Sequence, residues 1–133
     1  QPKRRVLVVT GDGEMLMGLG SLATIGVRRP GNLSIVVLDN ERYGETGMQK
    51  THTAYGVDLA AVARACGFAD SRVIRRNAEI ADVRSGIYLG RGPLFFQVKV
   101  KCDSLPLVLP PRDGAHLKHR FRDALLGKGA AAQ

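Results

Sequence analysis

Residues 6–13 read VLVVTGDG and residues 33–40 read LSIVVLDN, and the stretch between them carries apolar residues at helical spacing. Unbroken apolar runs at 6–10 and 33–39 predict two buried parallel strands, because a strand covered on both faces has no polar alternation. Met15, Leu16, Leu19, Leu22 and Ile25 predict one helix over 14–27 whose apolar side is core. The product is a βαβ unit. Asp12 and Asn40 then both fall just past the carboxyl ends of their strands, where open parallel sheets collect ligands.

The residue types at those two positions point to a metal-bridged diphosphate. A bare carboxylate repels a diphosphate. A divalent ion such as Mg²⁺, which takes oxygen ligands from carboxylates, amides, backbone carbonyls and phosphates, resolves the conflict. Asp12 supplies charge and Asn40 a neutral oxygen. Gly11 and Gly13 are expected to let the backbone turn sharply and approach the phosphates, with the amides near Gly13 and Glu14 donating to them. The Glu14 side chain must then point away. By itself Gly-Asp-Gly is weak evidence, since Asp-Gly is a common turn signal.

The longer stretches GDGEMLMGLGSLATIG (11–26) and PGNLSIVVLDNERYGETGMQ (30–49) resemble the diphosphate-binding domain of thiamine diphosphate enzymes. Within that family they are most similar to the phosphonopyruvate and sulfopyruvate decarboxylase group. The resemblance covers residues from about 5 to 126. It implies a doubly wound α/β fold, thiamine diphosphate and Mg²⁺ as cofactors, and metal ligation by Asp12, Asn40 and the backbone carbonyl of Arg42. Tyr43 and Gly44 open a segment that resembles the loop covering the diphosphate and bordering the substrate cavity. Glu45 and Thr46 lie within reach of that cavity, although the favoured reading of Glu45 is a solvated loop carboxylate, and His52 is ambiguous between the same two readings. No residue here takes a catalytic assignment.

The resemblance also implies a partner. In the family, the glutamate that protonates the cofactor's aminopyrimidine ring lies on a separate pyrimidine-binding domain or subunit, so an obligate homo- or hetero-oligomer pairing through residues 40–53 is expected, with a small 2-oxoacid as substrate. The covering loop is expected to be mobile without cofactor. Residues 1–133 are expected to form one diphosphate-binding domain, incomplete at its N-terminal side. Two other functions stay open: an acetolactate synthase-like carboligase, and a non-catalytic scaffold or regulatory subunit that keeps the fold.

Composition limits the alternatives. With 133 residues and 44% hydrophobic content the chain has enough material for one core. No apolar run approaches the roughly 20 residues of a membrane span, and the basic start Lys3-Arg4-Arg5 leads straight into a strand, so a cytoplasmic location is expected. Cys66 and Cys102 lack metal-ligand spacing, and Cys66 is predicted to be a buried reduced thiol. Two thiols cannot hold an iron–sulfur cluster, which takes about four. The net charge of +8 comes from scattered Lys and Arg with only 5% aromatics, a poor match to a nucleic-acid surface.

Helix and strand signals continue to alternate beyond residue 50. A helix is predicted over 59–66, N-capped by Asp58 and ended by Gly67, then a short strand at 71–74, a helix over 79–89 and a strand over 94–100. Pro106, Pro110 and Pro111 predict an extended connector, residues 115–126 a closing basic helix and 127–133 a frayed tail. Strands alternating with helices predict a doubly wound, mostly parallel sheet with helices on both faces.

Overall fold

A computed structural model of the chain describes residues 1–103, 106 and 108–128. Four strands, β1 (Val6–Gly11), β2 (Leu33–Asp39), β5 (Asp70–Ile74) and β6 (Leu94–Lys99), form one parallel sheet in the order β1-β2-β6-β5. Val8, Ile35, Phe95 and Ser71 stand in register across it. Between β2 and β5 the chain makes a small antiparallel pair, β3 (Arg42–Tyr43) with β4 (Gln49–Lys50), joined by a single 3₁₀ turn at Gly44–Thr46.

Helices α1 (Asp12–Met17), α2 (Ser21–Arg28) and α3 (Leu59–Ala65) cover one face of the sheet, and α4 (Ile80–Leu89) covers the other. On the first face Met15, Leu22, Leu59, Ala60, Ala63 and Phe68 pack on Ile35, Val37 and Phe95, with the Phe68 and Phe95 rings edge to face at 5.9 Å. On the second, Val83 and Ile87 pack with Val36, Ile74, Leu94 and Phe96. The expectation of a doubly wound sheet therefore holds.

Two expectations need correction. The helix predicted over 14–27 is two helices, interrupted at Gly18, Leu19 and Gly20. Each interior glycine costs a helix about 1 kcal/mol relative to alanine, and the Ser21 hydroxyl takes the freed Gly18 carbonyl at 2.6 Å. Periodicity survived the break because both pieces face the same sheet. The second correction concerns β1, predicted to be buried. It has a neighbour on one side only, and Val6, Leu7, Val8 and Val9 remain 38 to 57% exposed. Residues Gln1–Cys102 form one compact unit and Asp103–Gln133 another.

The second unit contains α5 (Gly114–Leu126), capped by the Asp113 carboxylate, which accepts from the His116 amide at 3.0 Å. The predicted connector lies partly outside the described residues at 104, 105 and 107, and the predicted frayed tail lies outside them from residue 129. Cys66 is only partly buried at the end of α3, against the core, and Cys102 is exposed; both are free thiols. Among the described residues no helix is long and apolar enough to cross a membrane.

Candidate active site

The carboxyl ends of β1 and β2 meet at a cleft of about 430 Å³ lined by Gly11, Asp12, Gly13, Glu14, Asn40, Arg42, Tyr43 and Gly44, the positions singled out from the sequence. Glu45 and Thr46 also line it. His52 does not; its Nδ1 lies 3.5 Å from the hydroxyl of Tyr43, which does. Three acids, Asp12, Glu14 and Glu45, face one base, Arg42. Without a cation this cleft would repel an anion.

Asp12 opens α1 and is 1% exposed. Its Oδ2 accepts from the Thr51 hydroxyl at 2.5 Å, with the Thr53 hydroxyl at 3.3 Å, and among the described residues Oδ1 takes no hydrogen bond. Asp12 lines the cleft, and a carboxylate oxygen with no protein donor there keeps its lone pairs for a cation. That oxygen is a fit for a divalent ion. Asn40 follows β2 in a loop built from two successive side-chain turns: Asp39 Oδ1 accepts from the Glu41 amide at 3.0 Å and Asn40 Oδ1 from the Arg42 amide at 2.9 Å. These turns force Glu41 into the left-handed region at φ 62°, and leave Asn40 Oδ1 a second lone pair. Among the described residues no three His, Cys, Asp or Glu side chains converge as a metal cage. An ion here needs oxygens brought by the ligand, the usual habit of Mg²⁺ with phosphates.

The two glycines act differently from expectation. Gly11 has φ −87° and ψ 165°, open to any residue, and Gly13 is helical, so neither supports a sharp turn. Gly13 is required by packing, because a Cβ there would lie 2.7 Å from the Tyr43 ring. The Gly11 amide donates to Glu14 Oε2 at 3.0 Å, and the Thr10 hydroxyl donates to the same oxygen at 2.7 Å. Those bonds hold the Glu14 carboxyl below its ordinary range. Glu14 thus folds back onto the Gly11 amide and caps α1.

Behind Asn40 lies a buried network that sequence reasoning missed. Asp39, fully buried, accepts from Gln97 Nε2 at 2.5 Å, from Thr53 Oγ1 at 2.7 Å and from Lys99 Nζ at 2.7 Å. Burial pushes the Asp39 carboxyl up, but the bonds from Lys99, Gln97 and Thr53 outweigh it and hold the carboxyl below its usual range. Burial works against the Lys99 ammonium too, and its bonds to Asp39 and to Glu41 at 2.7 Å raise it above the ordinary lysine value. Gln97 Oε1 meanwhile accepts from the Ala60 amide at 3.1 Å, fixing the start of α3. The only sequence signal for this network was polar residues inside two apolar strands.

Residues 1–98 match the family model described as the C-terminal TPP binding domain of thiamine pyrophosphate enzymes. The chain belongs to that family. Sulfopyruvate decarboxylase subunit beta of Methanocaldococcus jannaschii is 51% identical over 47% of this chain and 34% of its own length. Phosphonopyruvate decarboxylase of Streptomyces viridochromogenes is 40% identical over 90% of this chain and 30% of its own, and sulfopyruvate decarboxylase subunit beta of Methanothermobacter thermautotrophicus is 40% identical over 90% and 61%. The chain therefore spans between about a third and under two-thirds of the length of these relatives. A solved structure from Mycobacterium smegmatis, described as thiamin diphosphate-dependent, superposes with a TM-score of 0.57 at 21% identity over 76% of this chain and 19% of its own, a likeness of fold.

Proposed function

We propose that this chain is the diphosphate- and Mg²⁺-binding half of a thiamine diphosphate-dependent decarboxylase for a 2-oxoacid with an anionic tail, of the phosphonopyruvate or sulfopyruvate type. The observation that carries this reading is the cleft that Asp12, with its Oδ2 held by hydroxyls and its Oδ1 free of hydrogen bonds among the described residues, lines together with Asn40 at the ends of two parallel strands. Asp12, Asn40 and the Arg42 carbonyl hold the ion, which neutralises both the diphosphate and the acids around it. Thiamine diphosphate, when bound, supplies the nucleophilic carbon and electron sink for loss of carbon dioxide from the oxoacid.

The chain's own residues bind and orient. Tyr43 fills the space left open at Gly13 and so fixes the start of the β3–β4 hairpin against α1. Among the described residues that line the cleft Arg42 is the one base, and its side chain offers an anionic ligand a counter-charge there. Curated relatives are named as beta subunits, which supports a partner carrying the pyrimidine half.

The test is calorimetric titration of thiamine diphosphate with Mg²⁺ into the chain alone and into its mixture with the pyrimidine-half partner. Binding in the mixture that chelator abolishes, followed by decarboxylation of sulfopyruvate or phosphonopyruvate, is the expected result. Absence of binding in the mixture overturns the proposal and favours a scaffold.

A further inference from the structure

Asp12 and Asp39 are both buried at strand ends, and two threonine hydroxyls stand between them. Thr51 Oγ1 lies 2.5 Å from Asp12 Oδ2 and 2.9 Å from Thr53 Oγ1, which lies 2.7 Å from Asp39 Oδ1. Both threonines are buried. The Thr51 amide also donates to the Glu41 carbonyl at 3.0 Å, in the loop that carries Asn40. One residue thus grips both halves of the cleft, its side chain on Asp12 and its backbone beside Asn40.

Proton counting sharpens the roles. The two hydroxyls carry one proton each. Thr53 can give its one proton either to Asp39 at 2.7 Å or to Asp12 at 3.3 Å, whereas the Thr51 hydroxyl serves Asp12; among the described residues Asp39 also has the Glu41 amide, Gln97 and Lys99 as donors, and Asp12 has no donor beyond these hydroxyls. The rotation of the Asp12 carboxylate is thereby fixed with Oδ2 on the hydroxyls.

We propose that Thr51 and Thr53 are positioning residues for a divalent ion: a hydroxyl clamp that orients Asp12 and ties it to the Asn40 loop. The inference rests on the metal-site reading above. Partners that orient a ligand in this way typically change metal affinity by about 10- to 100-fold when removed.

The experiment measures Mn²⁺ affinity by electron paramagnetic resonance, with thiamine diphosphate present, on the chain assembled with its partner. Thr51→Val, which keeps the shape and removes the hydroxyl, is expected to weaken Mn²⁺ by about 10-fold or more. It should also broaden the bound-ion spectrum, a change that altered packing alone would not produce. Thr51→Ser should restore the wild-type affinity and spectrum, and Thr53→Val should give a smaller loss in the same direction. Thr53→Val also serves if Thr51→Val does not fold. Asp12→Asn is the control. If Asp12→Asn weakens Mn²⁺ and neither valine variant does, the clamp is wrong and the metal site stands; if Asp12→Asn has no effect, the metal-site reading itself fails. Equal loss in Thr51→Ser and Thr51→Val also overturns the clamp, because the hydroxyl would then not be the cause.

Discussion

Asp12 after β1 and Asp39 at the end of β2 are carboxylates at equivalent ends of adjacent parallel strands, 1% and 0% exposed, yet their surroundings are opposite. Asp39 is saturated: an ammonium, an amide side chain, a backbone amide and a hydroxyl all point at it. Asp12 has hydroxyls on one oxygen and an open cleft on the other. A carboxylate with a full set of partners holds a fold together, and one left short of them is ready for a cation. Burial and residue type do not distinguish the two. The donor set does.

The comparison is most exposed to Asp12→Ala, expected to remove metal-dependent cofactor binding in the assembled complex while lowering the melting temperature far less than the same change at Asp39. Unchanged affinity in a titration with thiamine diphosphate and Mg²⁺ would sink the assignment of Asp12. Asp39→Ala strips a buried ion pair of one member and leaves Lys99, 16% exposed, beside an empty site. It should cost about 3–5 kcal/mol in chemical denaturation. A loss near that of a surface pair, about 1 kcal/mol or less, would show that Lys99 escapes to solvent and Glu41.

The pH dependence of stability separates the carboxylates again. Because the folded Asp39 carboxyl is held low, its contribution is present above the ordinary aspartate value of about 3.9 and is lost as pH falls through its folded value. Lys99, held high, contributes fully below the ordinary lysine value of about 10.4 and loses its share as pH rises beyond it. Acid unfolding followed by circular dichroism should therefore shift to higher pH in Asp39→Asn. The smallest effect is expected at a third carboxylate, Glu14, which is exposed and caps α1: Glu14→Ala should lower the melting temperature less than the change at Asp39, and an equal loss would place it in the network.

Much of the fold was legible because it rests on local periodicity. The run 33–39 is central and largely buried as its sequence requires, and of the apolar series Ile80, Val83 and Ile87 on α4 the last two meet the sheet while Ile80 stays exposed. The run 6–10 carries the same signal and lies at an edge, since an apolar strand cannot announce how many neighbours it has. The two short helices at 12–28 were hidden for a related reason: a pattern that faces one sheet stays in phase across a two-glycine break.

For the site, the sequence by itself determined the β1 and β2 ends, the Asp12 to Asn40 spacing and the cleft they line, because a βαβ unit fixes where its strand ends lie. Tertiary structure alone decided that Thr51 lies against Asp12, thirty-nine residues away, and that Gln97 and Lys99 reach Asp39, fifty-eight or more residues away, by insertion of β6 beside β2. Hydroxyls and amides have no periodic signature, and their partners follow from strand order, which is set by long-range packing.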